Sequence, residues 1–230
     1  MKINIPTVES IEEYIIFLNE SIGQGVSNMP PTDLLDPLSI KSNLEQLHYS
    51  EFILFADYHY FVSRTLFMNF VRDYSFFSGY QCMENYLKAY IKSKNCIPSF
   101  EHPLNKLLKI CREFEKRDDA FIFSKEIETI FYKFDPYYMV PRYPITSERW
   151  VSRTIDPFDI NLLDYFVLRF REILPLPQNQ MDLLKGDHIF LTLCKKYAPN
   201  FYLSFFNGNI NFTSLSNNIP QDESVSRSFH

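Results

Sequence analysis

Apolar positions recur every three to four residues along most of this chain, and each such run predicts a helix. The clearest is the stretch 76–95, FFSGYQCMENYLKAYIKSKN, where Phe76, Tyr80, Met83, Leu87 and Tyr90 share one face. Beside that stripe runs a second row, Gly79, Cys82, Tyr86 and Ala89, whose mostly small side chains let another helix approach closely. The opposite face carries Gln81, Glu84, Asn85 and Lys88, with Glu84 four residues before Lys88 in the favourable order for a helix ion pair. Such a helix is expected to touch two neighbours.

The same periodicity orders the rest of the chain. Thr7 caps a first helix with Ile11, Tyr14, Ile15 and Leu18 on a stripe and Gly23 as its stop, followed by a Pro-, Ser- and Asp-rich linker. The run EFILFADYHYFVSRTLFMNFVR, from Leu44 or Glu51 to Arg72, is apolar nearly all round, as expected of a central helix, with Asp57, His59 and Arg64 as polar exceptions. Asp73 or Ser75 starts the stretch-76 helix after a short turn. Pro103 then opens a helix with Leu104, Leu107, Leu108, Cys111 and Phe114 on one face, which EKRDD ends in solvent. Ser124 caps another, with Ile127, Ile130, Phe131 and Phe134, stopped by Pro136. A proline-punctuated loop, DPYYMVPRYPITSERWVSR, leads to Asp156, Pro157 and Asp159, a strong helix start for Ile160, Leu163, Val167, Phe170 and Leu174. One more helix covers His188 to Tyr197. In FYLSFFNGNINF, Asn207-Gly208 fits a hairpin turn or a helix stop, and the absence of any other strand pattern favours the helix. The pattern predicts an all-α, mostly antiparallel up-and-down bundle: an N-terminal helix and linker over 1–43, a helical domain over 44–214, and a polar, mobile tail over 215–230.

Composition narrows the chemistry. With 230 residues and 46% hydrophobic content the chain can bury a full core, and 23 Phe and 15 Tyr make that core aromatic. Five glycines argue against phosphate-cradling glycine loops, and a formal charge of −5 leaves only a local basic patch as a nucleic-acid footprint. Cys82, Cys96, Cys111 and Cys194 have no paired C-x-x-C spacing and read as reduced thiols. The N-terminus has acidic residues where a signal peptide needs an apolar run, and no window is apolar enough to span a membrane. A cytoplasmic protein without membrane attachment is expected.

The order of features resembles the HEPN (higher eukaryotes and prokaryotes nucleotide-binding) domain family. Its second helix typically contains a Gln and then Glu-x-x-x-Lys-Ala, matched here by Gln81, Glu84, Lys88 and Ala89 in GYQCMENYLKAYI. The His-x-Leu helix start is similar to His102-Pro103-Leu104, and the Tyr-x-x-x-Arg-Tyr-Pro turn to Tyr138 through Arg142, Tyr143 and Pro144. The matches cover about Glu51 to Leu174. The resemblance implies a HEPN-like bundle with extra N- and C-terminal helices, a homodimer, and RNA or a nucleotide as ligand, in a toxin–antitoxin or defence-like setting. Active members are metal-independent ribonucleases whose signature is an Arg, four to six residues, and a His shared across a dimer. None of His48, His59, His102, His188 and His230 stands at that distance after an Arg. The resemblance therefore implies a binding or regulatory module without cofactor or metal. A degenerate ribonuclease, with Arg142 on phosphate and His102 moving the proton, and a plain protein-interaction bundle are the alternatives.

Each candidate residue also has a plainer role. Arg142, Arg149, Trp150 and Arg153 suit phosphate recognition and base stacking, or else Arg142 braces a turn and Trp150 is buried. Glu84 and Lys88 line a ligand or dimer groove, or form a solvated helix-face pair. His102 contributes to a groove, or caps the orphan amides of the helix that follows it. Asp57, His59 and Arg64 form a buried structural network, or Asp57 and Arg64, two turns apart on one face, share a polar site.

Overall fold

In the computed structural model, the described residues are 44–98, 102–118, 122–139, 158–178, 180–186 and 188–212, and among them the regular elements are helical and no strand occurs. The expected helix over Thr7 to Gly23, the linker, the tail after 214 and the helix start at Asp156 and Pro157 lie outside them.

Helix α1 (Tyr49–Met68) begins with a capping box. The His48 ring accepts the Ser50 N–H at 3.3 Å, and Glu51 reaches back to accept the His48 N–H at 2.7 Å. Both satisfy amides that a helix start leaves unpaired. The chain reverses over residues 69–71, with Phe70 in the left-handed region at φ 64°.

Helix α2 (Arg72–Ser93) returns against α1 in the most extensive helix–helix contact among the described residues. Both apolar rows read from its sequence are buried. The small row does what its size permits: Ser75 donates to the Ser63 carbonyl at 2.7 Å, and a Cβ on Gly79 would stand 2.7 Å from the Phe134 ring and 3.2 Å from Ser63 Oγ.

Helix α3 (Leu104–Arg117) packs Leu104, Leu107, Leu108 and Cys111 inward, and Cys111 Sγ lies 3.7 Å from the Leu87 carbonyl of α2. The solvated end expected for EKRDD is corrected at one residue. Glu115 is buried, because its carboxylate accepts the N–H groups of Ile122 and, at 2.8 Å, Phe123 from beyond the turn. Phe114 is only half-buried.

Ser124 caps α4 (Lys125–Phe134), which buries Ile127, Ile130, Phe131 and Phe134. The α-helix ends at Phe134, just before Pro136, as expected. Pro136 itself occupies the first turn of a 3-10 helix, Asp135–Tyr138, where a missing N–H has no intrahelical partner to lose.

Helix α5 (Phe158–Ile173) lays Ile160, Leu163, Phe166, Val167 and Phe170 on α1, α2 and α4. After the 3-10 turn Leu183–Lys185 come α6 (Ile189–Tyr197) and α7 (Pro199–Phe206). The stretch 201–212 is helical, closing on Asn207, on Gly208 at φ 61°, and on the 3-10 turn Ile210–Phe212.

Ring contacts fill the centre: Phe76 stacks on Tyr137 at 4.7 Å, Phe166 lies 4.4 Å from Phe170, and Phe61 lies 4.9 Å from Phe205. Cys82 and Cys111 are buried free thiols whose ionisation burial opposes.

Asp57 and Arg64 do not share a site. Asp57 accepts from the Tyr86 hydroxyl at 2.5 Å and from Arg171 at 3.0 Å, and Arg171 reaches on to Asp182 at 2.5 Å. Arg64 is paired with Asp164 and donates to the Phe205 carbonyl at 3.0 Å and the Asn207 carbonyl at 2.5 Å. The Tyr60 hydroxyl lies 2.8 Å from the same Asp164 carboxylate and accepts from Asn211 Nδ2 at 2.9 Å. One network ties α1 to α2 and α5, and the other ties α1 to α5 and the end of α7.

Candidate functional site

The motif-bearing face of α2 meets the start of α3 at Glu84. This carboxylate is not the solvated half of a surface pair: its side chain is 4% exposed and Lys88 is 14% exposed. Helical spacing brings Lys88 Nζ to 2.6 Å from Glu84 Oε1, and Gln81 Nε2 lies 3.5 Å from Oε2. A carboxylate this deep needs partners to offset its lost hydration.

A further partner comes from outside the helix. His102 does not cap α3, since Pro103 is the N-cap residue and makes no side-chain bond. Its Nδ1 lies 3.0 Å from Glu84 Oε1 instead. An ionised carboxylate only accepts, so Nδ1 carries the hydrogen of this bond and Nε2 is the ring nitrogen left for a ligand. The imidazole is 49% exposed at its side chain and lies against Tyr138, with centroids 5.7 Å apart and planes 19° from parallel.

Tyr80 holds the backbone of this corner by donating its hydroxyl hydrogen to the His102 carbonyl. Burial, then the negative charges of Glu84 and Asp135, push the Tyr80 phenol above its ordinary range and keep it a donor. Asp135 in turn receives the Leu104 N–H at the start of α3, while burial raises its carboxyl. On α1, half-buried His59 feels two opposed influences: burial lowers its pKa, and the Glu84 charge pulls it back up.

The structure thus brings together Glu84, Lys88 and His102, with Gln81, Tyr80, His59 and Tyr138 around them. Arg142, Arg149, Trp150 and Arg153 lie outside the described residues, four positions and more beyond Tyr138. Tyr138 as a partner of His102 was not singled out from the sequence. The available signal was its place at the head of the Tyr-x-x-x-Arg-Tyr-Pro turn. Among the described residues no group of three His, Cys, Asp or Glu side chains is arranged to hold a metal ion, and no helix is long and apolar enough to cross a membrane.

Chemically, the arrangement is an oriented imidazole on a buried carboxylate, with a cation fixed beside it and an aromatic face beneath. It can bind a polar ligand edge at Nε2, and it can move a proton there. Lys88, neutralised by Glu84, orients the carboxylate more than it attracts an anion.

No curated protein and no solved structure shows significant similarity to the chain. Residues 49–157 match the family model described as the HEPN domain, a span that includes α1 to α4, Glu84, Lys88 and His102, and ends just before α5. Residues 49–157 of this chain are therefore a HEPN domain.

Proposed function

We propose that this HEPN domain is a non-catalytic binding or regulatory module for RNA or a nucleotide. The observation that carries the reading is the combination of a HEPN match over 49–157 with the absence, throughout the sequence, of a His separated from a preceding Arg by four to six residues. His102 and Tyr138 supply a ring face and a hydrogen-bonding edge for the ligand. Arg142, Arg149 and Arg153 supply phosphate contacts, and Trp150 supplies a further stacking surface. Glu84 and Lys88 set the His102 edge. The working form is a homodimer in the cytoplasm, in a toxin–antitoxin or defence-like setting, by analogy with the family.

A second reading is favoured by one contact. The Nδ1 bond to Glu84 leaves Nε2 of His102 as a base, so the same face suits a metal-independent ribonuclease in which Arg142 holds the phosphate.

Purified protein is tested for binding to labelled single-stranded RNA and mononucleotides, and for RNA cleavage in EDTA. Binding without cleavage supports the first reading. Cleavage that disappears in both Arg142→Ala and His102→Ala replaces it with the second. Neither binding nor cleavage leaves a protein-interaction bundle.

A further inference from the structure

We infer that the pocket between α3 and α4 is a nucleobase subsite, which takes one base bearing an exocyclic amino group beside the His102–Tyr138 face. The inference rests on the RNA- or nucleotide-binding reading above.

The pocket encloses about 200 Å³. That is below the usual range for drug-sized ligands and suits a single ring system. Its apolar floor is Leu108 and Phe131, both buried, and one wall is the Tyr132 ring, which is 74% exposed. A large aromatic left so bare next to an apolar floor is the arrangement on which a flat base stacks.

Polar groups sit at both ends. At one end stand Asn105 and Asp135, an amide and a carboxylate able to accept from a base amino group. At the other end Arg112 holds Glu128 at 2.5 Å through Nη2, while its Nε is buried without a hydrogen-bond partner. Lys109 adds a cation at the rim, where a ribose phosphate would emerge.

Position ties this pocket to the face already described. Asp135 opens the 3-10 turn that ends in Tyr138, and it receives the N–H of Leu104, two residues after His102. The pocket and the His102–Tyr138 face are thus joined through Asp135 and Leu104, and one strand is placed to run from the first to the second.

The test is fluorescence anisotropy with the full chain and short labelled oligo(A), oligo(C) and oligo(U), with AMP as competitor. Oligo(A) and oligo(C) are expected to bind several-fold more tightly than oligo(U), which lacks an amino group. Tyr132→Ala, at an exposed position that leaves the fold intact by circular dichroism, is expected to weaken oligo(A) binding by about fivefold or more, and Tyr132→Phe to retain it. AMP displacement assigns the subsite to free nucleotide, and its failure assigns it to the RNA strand. Wild-type binding that Tyr132→Ala leaves unchanged, or equal affinity for the three oligomers, overturns the subsite alone. A wild-type chain that binds neither RNA nor AMP overturns the functional reading and the subsite together.

Discussion

His102 Nδ1 stands 3.0 Å from Glu84 Oε1, which joins a half-exposed imidazole from the α2–α3 connection to a buried carboxylate of α2. The same oxygen holds Lys88 Nζ at 2.6 Å, so one atom sets both neighbours. Glu84→Gln removes the charge and weakens both bonds. Its unfolding free energy in urea is expected to fall by about 1–3 kcal/mol, as for a lost buried charge-assisted bond. Glu84→Gln indistinguishable from wild type would mean that this oxygen holds neither partner effectively.

Gly79→Ala gains helix propensity of about 1 kcal/mol yet places a methyl 2.7 Å from the ring of fully buried Phe134. Overpacking outweighs propensity, and a net loss of roughly 1–2 kcal/mol is expected. A double-mutant cycle with Phe134→Leu should recover part of that loss. Independent effects of the two substitutions would place the clash elsewhere.

Removing Asp164 strands Arg64, which is 1% exposed and has its charge answered by that carboxylate. Asp164→Ala is expected to cost about 3–5 kcal/mol, and Arg64→Met with Asp164→Leu much less, because the second change removes both charges. Amide hydrogen exchange over 199–212 should rise selectively in Asp164→Ala, since Arg64 also holds the Phe205 and Asn207 carbonyls. Uniform loss of protection would refute a local anchor.

Asp57 gives a pH dependence of defined sign. Burial is the largest influence on it and raises its carboxyl from 3.8 to about 6, against the pull of Arg171 and Tyr86. The folded state then holds a proton that the unfolded state has released, so the stability of the Asp57 site falls as pH rises from about 4 to about 6 and is level above that. A shift of that size corresponds to roughly 3 kcal/mol at most. Asp57→Asn should lack this slope, and parallel stability–pH curves for the two proteins would contradict the assignment.

The helices were legible because their determinants are local. The stripe of Phe76, Tyr80, Met83, Leu87 and Tyr90, the Ser124 cap and the Asn207-Gly208 stop are each set within one or two turns of chain. Glu84, Lys88 and His102 could be nominated from spacing and family likeness, but their relationship could not be read there. Eighteen positions separate Glu84 from His102, and only the docking of α3 on α2 makes them partners. For the same reason Glu115 read as a solvent residue: helical phase placed it at a polar end, while the amides that draw it inward belong to the next segment. Asp57 and Arg64, on one helix, were separated into two networks by partners from α2, α5 and α7.

The Glu115 carboxylate has a mechanical consequence. By holding two amides across the turn, it clamps the far ends of α3 and α4 to each other, so the two helices cannot part there. The cleft between them runs from Arg112 and Glu128, beside that clamp, to Asn105 and Asp135, where the Leu104 N–H donated to Asp135 ties α3 to the segment after α4. A guest must therefore fit the width that these two ties set.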